Sequence, residues 1–395
     1  MLSNHLSMMR YLSRKVNSFF IKKLWLQAGE KIDLEKGIYL ITGFPGFLSH
    51  NIVEELLKQN KVSKVYLLHL RSMRKQAEEG IRKLRFLSDA EIILVEGDIT
   101  RTNLDMAEEK IFEIREEVEY VWHLAAIYDL AVPQDLAQKV NVEGTRHVNN
   151  FCQTLAELKR YVYFSTAFIA GSREGELMEN ELILPERFHN FYERTKYEAE
   201  VMVEGLKGRL PITIIRPGIV KGNSETGETV KFDGPYFIMN MFKRLSFLPW
   251  IPFLGEGTSY INIVPVEYVV KASIYLCHEE VGTGKTYHLT DPEPLMVKEV
   301  YEQILWHMLK KKPKGNIPLP LSNWALGFRF IRRYLKVERE ALDYFTLPGE
   351  FNCQNAQNDL EGTSIICPTL SSQIEKMVEF YLEHASNERL HVKID

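Results

Sequence analysis

The stretch that most restricts the fold of this chain lies between residues 37 and 59. Gly37-Ile38-Tyr39-Leu40-Ile41-Thr42 is a short apolar run, the pattern of a strand buried on both faces in a parallel sheet. Gly43-Phe44-Pro45-Gly46-Phe47-Leu48-Ser49 follows at once, and His50 to Gln59 reads as a helix. Two glycines allow a tight turn and a close backbone approach. The helix then starts with its free N–H groups aimed past the strand end, which suits a dinucleotide pyrophosphate. Ser49 occupies the place of a third glycine, where a small side chain lets helix and strand pack closely. A buried parallel strand needs parallel neighbours joined by helical crossovers, so the rest of the chain must supply them.

It does. Val65–Leu70, Glu91–Val95, Tyr120–Leu124, Tyr161–Phe164 and Ile212–Ile215 read as strands, and Gln134 to Leu158 as a long helical pattern. Strand–helix alternation predicts an α/β fold, a Rossmann-type doubly wound parallel sheet, with a smaller helix-rich C-terminal lobe. At 395 residues the chain has room for a large core and an appended part. The expected division is a basic arm over 1–35, a dinucleotide-binding domain over 36–220 and 262–290, and a substrate lobe over 221–261 and 291–395.

Ligands bind at the carboxyl ends of such strands. The residues predicted there are Thr42, Gly43, Phe44, Pro45, Gly46, Phe47 and Leu48 after the first strand, and Arg71 after the second. Asp98 and Ile99, then Leu124, Ala125 and Ala126, and finally Pro217, Gly218 and Ile219 follow the later ones. An acid after the second strand would bond the ribose 2′-hydroxyl of NAD, whereas a base accommodates the 2′-phosphate of NADP. Arg71-Ser72-Met73-Arg74-Lys75 has no acid before Glu78, which predicts NADP(H) in preference to NAD(H). The competing reading is a solvated helix start.

Tyr192 and Lys196 stand four residues apart on a helical pattern, so they share one helix face. An ammonium beside the phenol favours the phenolate, and the expectation is a lowered tyrosine pKa and usable acid–base chemistry. By themselves, such residues often only share an exposed face.

Taken together, these landmarks resemble the extended branch of the short-chain dehydrogenase/reductase family. They are Thr42-Gly43-x-x-Gly46, Gly97-Asp98, His123-Leu124-Ala125-Ala126, Asn141-Val142-x-Gly144-Thr145, Ser165-Thr166-Ala167, Tyr192-x-x-x-Lys196 and Arg216-Pro217-Gly218, in family order over about residues 37–290. The resemblance implies that Tyr192 is the acid–base, that Lys196 binds the nicotinamide ribose and tunes Tyr192, and that Thr166 orients the carbonyl, with Ser165 second. It gives Asn141 a structural and proton-relay part. Within that branch the chain is similar to fatty acyl-CoA reductases and thioester reductase domains. The likeness rests on Leu70-Arg71-Ser72, Tyr192 to Glu200, Ile215 to Gly227 and Asn262 to Val269. It implies an NADPH-dependent reductase of a hydrophobic acyl thioester, on CoA or a separate acyl carrier protein. The alternatives are a hydroxysteroid- or ketone-type dehydrogenase, a nucleotide-sugar epimerase or dehydratase of the same fold, and a non-catalytic NADP-binding sensor or scaffold.

For the substrate side, Phe232 to Leu254 is dense in aromatic and methionine residues, suited to the wall of an apolar tunnel or to ordinary packing of the second lobe. Lys298–Lys310 and Ser371–His384 carry helical apolar spacing. Lys310-Lys311-Lys312-Pro313-Lys314 is a solvated loop or a contact for CoA phosphates or an acidic carrier. Phe351 to Gly362 reads as a loop onto the substrate lobe.

Other chemistries are argued against. A net charge of −4 does not suit a general nucleic-acid binder. None of the eleven histidines stands at metal-ligand spacing, so no metal is expected, and His123 and His288 read as core residues. Cysteines 152, 277, 353 and 367 are scattered and suit a reducing, cytoplasmic setting. No apolar run approaches the roughly 20 residues that span a bilayer. The arm carries Arg10, Arg14, Lys15, Lys22 and Lys23 without an acid before Glu30, and Leu6, Met9, Leu12, Val16, Phe19 and Phe20 at helical spacing. It reads as a helix packed on the body, as a peripheral contact with a membrane surface, or as an organelle-targeting segment.

Overall fold

The first half of the chain alternates strand and helix, as its sequence predicts. In the computed structural model, residues 36–128, 132–346 and 348–392 are described, so the basic arm over 1–35 lies outside the described residues. In chain order come β1 (Gly37–Thr42), α1 (Phe47–Lys58), β2 (Val62–His69), α2 (Arg74–Leu84), β3 (Glu91–Glu96), α3 (Glu108–Glu117) and β4 (Tyr120–His123). A composite helix follows: α4 (Gln134–Ala137), a π-helical stretch (Gln138–Glu143) and α5 (Gly144–Cys152). Then come β5 (Arg160–Phe164), β6 (Gly175–Leu177), α6 (Phe191–Glu204), β7 (Ile212–Pro217), β8 (Ile219–Lys221), α7 (Tyr236–Arg244), β9 (Phe253–Leu254), β10 (Tyr260–Ile261) and β11 (Ile263–Pro265). The remainder is α8 (Val266–His278), β12 (Thr286–Leu289), β13 (Leu295–Met296), α9 (Val297–Leu309), β14 (Asn316–Ile317), α10 (Leu319–Leu326), α11 (Arg329–Leu335), β15 (Gly349–Phe351), α12 (Gln354–Leu360) and α13 (Ile374–His384).

The central sheet has seven strands in the order β12-β7-β5-β4-β1-β2-β3, all parallel. The order reverses between β1 and β4, which opens the crevice where ligands of this architecture bind. Side-chain alternation divides the core in two. Tyr39, Ile41, Val65 and Leu67 point toward α1 and α8, whereas Leu40, Tyr66 and Leu68 point toward α3, α5 and α6. Helix α1 buries Ile52, Val53, Leu56 and Leu57, a stripe at helical spacing. A third apolar cluster joins α7, α9 and α13 through Phe242, Tyr301, Ile304, Met377 and Tyr381.

Two expectations change. The helical pattern predicted to run to Leu158 stops at Cys152, and a π turn interrupts it around Asn141. Residues 351–362 are not a loop onto the substrate lobe. β15 pairs in parallel with β6, and Ala356 and Leu360 of α12 enter the core cluster shared by β1 and α8. Glu179 holds this segment: its Oε1 accepts the His288 and Ala356 N–H groups, and its Oε2 the Asn355 N–H. Among the described residues, no helix is long and apolar enough to cross a membrane.

Candidate active site

A cavity of about 800 Å³ opens at the carboxyl ends of β1, β4, β5 and β7. Its floor on the β1 side is the glycine turn. Gly43 has φ +83°, and a Cβ there would lie 2.8 Å from the Ala125 nitrogen. A Cβ on Gly46 would lie 2.7 Å from the Gly43 carbonyl oxygen. Both positions therefore need glycine, one for its dihedral and both for close approach. Among the described residues no side chain caps the start of α1, and Gly46, Phe47, Leu48 and Ser49 line the cavity there. Uncapped N–H groups at a twelve-residue helix start fit a pyrophosphate. The Ser49 hydroxyl donates to the Gly43 and Gly46 carbonyls, so the serine ties the turn together where a third glycine would only make room.

The predicted cofactor residues divide into two sets. Gly43, Phe44, Gly46, Phe47, Leu48, Asp98, Ile99, Leu124, Ala125, Ala126, Pro217, Gly218 and Ile219 line the cavity. Thr42 and Pro45 do not; the Thr42 hydroxyl instead accepts the Ala125 N–H and pairs with His123 Nδ1 at 2.8 Å, behind the wall. Arg71 follows β2 in a short helical turn, but its side chain is 89% exposed and its Nε lies 3.7 Å from Glu96 at the end of β3. It stands outside the lining, beside His69 and Leu70, which do line the cavity. The sequence argument missed Glu96 because it is two elements away in the chain and adjacent only in the sheet.

Tyr192, Lys196, Thr166 and Ser165 meet on one side of the cavity. Helix α6 starts where the Asn190 side chain accepts the Glu193 N–H and the Glu193 carboxylate takes the His189 N–H and ring nitrogen. This cap fixes the first turn, and so the direction of Tyr192. The Tyr192 residue is 8% exposed. Burial drives its phenol well above the ordinary tyrosine value, the Thr166 hydrogen bond pulls it partly back, and Glu193 adds to the rise. The expectation of a phenol acidified by Lys196 is thus corrected: desolvation outweighs any neighbouring charge. Lys196 donates to the Phe164 carbonyl at 2.6 Å and lies over the Tyr163 ring at 4.3 Å. Burial lowers its pKa to about 7, although Glu200 behind it favours the charged form. Glu200 itself is held by Arg216, whose guanidinium also donates to the Glu179 and Glu181 carbonyls.

Thr166 and Ser165 are both buried at the end of β5. Thr166 bonds Tyr192 and accepts the Phe168 N–H, whereas the Ser165 hydroxyl has no partner among the described residues. Asn141 is buried outside the lining. Its carbonyl oxygen accepts the Ile127 N–H, and its amide donates to the Ile127 carbonyl and the Thr195 hydroxyl. It braces a cavity-lining segment against α6 from the π-helical stretch, where such turns often mark functional sites. His123 and His288 are core residues with hydrogen-bonded rings, their pKa values pushed to about 3 by burial.

Sequence reading missed Tyr128, whose ring meets Tyr192 edge-on at 5.2 Å, although it stands only two residues after the Ala125-Ala126 landmark. It also missed Tyr344, which arrives from the C-terminal part and packs edge-on against Phe168 at 5.0 Å. The same cavity is lined by apolar side chains: Phe237, Ile238 and Met241 from α7, Leu254 and Ile261 beyond it, and Val337 and Leu342 after α11. Phe232 to Leu254 therefore serves both predicted purposes, since Met239 and Phe242 on α7 pack into the third core cluster.

With this geometry in hand, comparison with known proteins decides the family. The family model described as male sterility protein, an NAD-binding domain, matches residues 41–273. The chain belongs to that family. It is an NAD(P)-dependent oxidoreductase. "Fatty acyl-CoA reductase wat" of Drosophila melanogaster is 25% identical over 354 residues, covering 80% of this chain and 68% of the relative. "Glycine betaine reductase ATRR" of Emericella nidulans is 24% identical over 312 residues, 75% of this chain but only 24% of that protein. The chain thus spans about a quarter of the length of that second relative. Among solved structures, the terminal R domain from the myxalamid PKS-NRPS biosynthetic pathway superposes with a TM-score of 0.75 at 23% identity, over 90% of this chain and 92% of that one. At that identity the likeness establishes the shared fold alone.

Proposed function

We propose that this chain is an NADPH-dependent reductase of a hydrophobic acyl thioester, carried on CoA or on an acyl carrier protein. The observation that carries the reading is one cavity with two kinds of wall. The Tyr192–Thr166 hydroxyl pair and the apolar residues of α7 and of the segment after α11 line the same cavity. The glycine turn and the uncapped start of α1 fit the pyrophosphate of a dinucleotide, and Lys196 is the residue we assign to the nicotinamide ribose. A bound nicotinamide supplies the hydride.

The protein's own part is to handle charge and proton. As the substrate carbonyl carbon gains hydride, its oxygen becomes an oxyanion. The Thr166 hydroxyl donates a hydrogen bond to it, and the Tyr192 phenol delivers the proton. A phenol kept protonated by burial suits the reducing direction, in which tyrosine must give a proton and not take one. The resulting tetrahedral carbon loses thiol as its C–S bond breaks, leaving aldehyde. Arg71, with no acid at its own position, supports NADPH over NADH; the nearby Glu96 would have to release it to a 2′-phosphate. We also propose the division into a cofactor part and a substrate lobe, and a peripheral role for the arm at a membrane surface.

The test is NADPH oxidation with long-chain acyl-CoAs, aldehydes and 3-ketosteroids, beside NADH controls. Acyl-CoA-dependent oxidation with thiol release supports the thioester reading. Activity confined to ketosteroids would transfer the enzyme to the ketone-type dehydrogenases, with the same Tyr192 and Lys196 roles.

A further inference from the structure

Two segments of this acidic chain contain no acid at all. Residues 234–255 and 303–337 hold ten lysines and arginines and not one Asp or Glu, in a chain of net charge −4. The fold brings them together. β14 pairs with β9, the Lys311 ammonium donates to the Ser246 and Leu248 carbonyls, and Arg244 at the end of α7 lies 5.8 Å from the Tyr334 ring on α11. Among the described residues, Glu388 pairs with Lys336 and Glu375 approaches His307.

On the same face, large apolar side chains stand in water. Phe247 is 72% exposed, Trp324 64% and Phe330 71%, with Trp250, Leu321 and Phe328 also exposed. Trp324, Phe328 and Phe330 touch in series, with ring centroids 5.0 and 6.0 Å apart. Arg329 and Arg333 are exposed among them. Aromatic side chains that enter the headgroup layer, set in a field of arginine and lysine, are the composition of an interfacial membrane-binding surface. Two copies pairing through this face would set like charges against each other, which opposes self-association. The face is also continuous with the cavity. The inner side of α7 lines the cavity with Ile238 and Met241, while its C-terminal end carries Arg244 into the basic face. The chain after α11 lines the cavity with Val337 and Leu342.

We infer that the α10–α11 pair, together with the Phe247–Trp250 loop, docks this protein onto the surface of an anionic phospholipid bilayer. Docking there sets the apolar wall of the cavity beside the membrane, so a poorly soluble chain can pass between lipid and site without crossing water. The surface is built from residues 244–250 and 319–335, and the inference does not depend on which carbonyl the enzyme reduces.

The experiment is flotation of the full chain with phosphatidylcholine vesicles, with and without about 30% phosphatidylserine as the anionic lipid. The wild type is expected to float with the anionic vesicles and to be released by salt. Trp324→Ser with Phe330→Ser should weaken binding by about ten-fold or more. Arg329→Gln with Arg333→Gln should weaken it by about 25-fold, roughly five-fold per charge, and flatten the salt dependence. NADPH affinity and thermal melting serve as folding controls, because all four side chains are exposed. Undiminished binding by both variants would assign the membrane contact to the arm and overturn the inference. So would equal binding to neutral vesicles, a dimer in light scattering that either variant dissolves, or an acidic acyl carrier protein binding this face in place of vesicles.

Discussion

Tyr192→Phe isolates one oxygen atom. The variant keeps the ring, its edge-on contact with Tyr128 at 5.2 Å and its place in the small cluster with Val132 and Ala137. Removing the phenol oxygen takes one partner from the Thr166 hydroxyl, which still accepts the Phe168 N–H. Losing one hydrogen bond to a neutral partner should change folding stability by no more than about 1 kcal/mol. The buried hydroxyl is also costly to desolvate, which offsets part of that loss. Catalysis should respond very differently, since a positioned proton donor contributes about 10²–10⁴-fold. The assay is single-turnover NADPH oxidation with a saturating acyl thioester, beside NADPH binding by fluorescence and a melting curve. The expected result is a collapse of the rate with near-normal cofactor affinity and melting temperature. A rate within about ten-fold of wild type would refute the proton-donor assignment. A parallel loss of NADPH affinity would mean that the tyrosine shapes the pocket instead.

Four further outcomes follow from the site. Thr166→Ala should lower kcat by about 10²–10³-fold as an oxyanion donor, and Ser165→Ala much less; the reverse order would exchange their roles. Arg71→Ala should reduce kcat/KM for NADPH by about ten-fold or more while sparing NADH, the loss of one charge-assisted hydrogen bond. Gly43→Ala should cost NADPH binding at least about ten-fold, because the new Cβ meets the Ala125 backbone and the left-handed dihedral costs roughly 1–2 kcal/mol. Lys196 in the free enzyme titrates at about 7, below the ordinary lysine value, and only its ammonium form can serve the cofactor. NADPH affinity should therefore be level below that pH and fall as pH rises through it, and Lys196→Met should abolish the dependence; a profile unchanged in that variant would assign the titration to another group.

Much of this site was readable because most landmarks sit where a strand ends, and strand ends converge by the rules of parallel sheets. The apolar runs beginning at Gly37, Tyr120 and Ile212 mark their own strands, and the fold follows from their alternation. What depends on partners distant in sequence was not readable. Glu96 approaches Arg71 only because β3 lies beside β2. Tyr344 reaches Phe168 across most of the C-terminal part. The spacing of Tyr192 and Lys196 identified a shared helix face, but the ionisation of both groups is set by how deeply the cavity wall buries them, a property of the packed whole. Asn141 was legible as a landmark, yet its brace between Ile127 and Thr195 follows from the local π turn.

The parallel pairing of β15 with β6, and the carboxylate of Glu179 beneath α12, bear on how this enzyme can be engineered. A fragment ending near residue 290 would keep every landmark of the cofactor site. It would also strip the partner from β6, take away two of the three backbone donors to Glu179 and uncover the core against which Ala356 and Leu360 pack. The catalytic half is therefore not a cassette that can be cut out at its last landmark. A chimera meant to exchange substrate preference should graft the stretch between β13 and α11 and leave residues 349–360 with the host sheet.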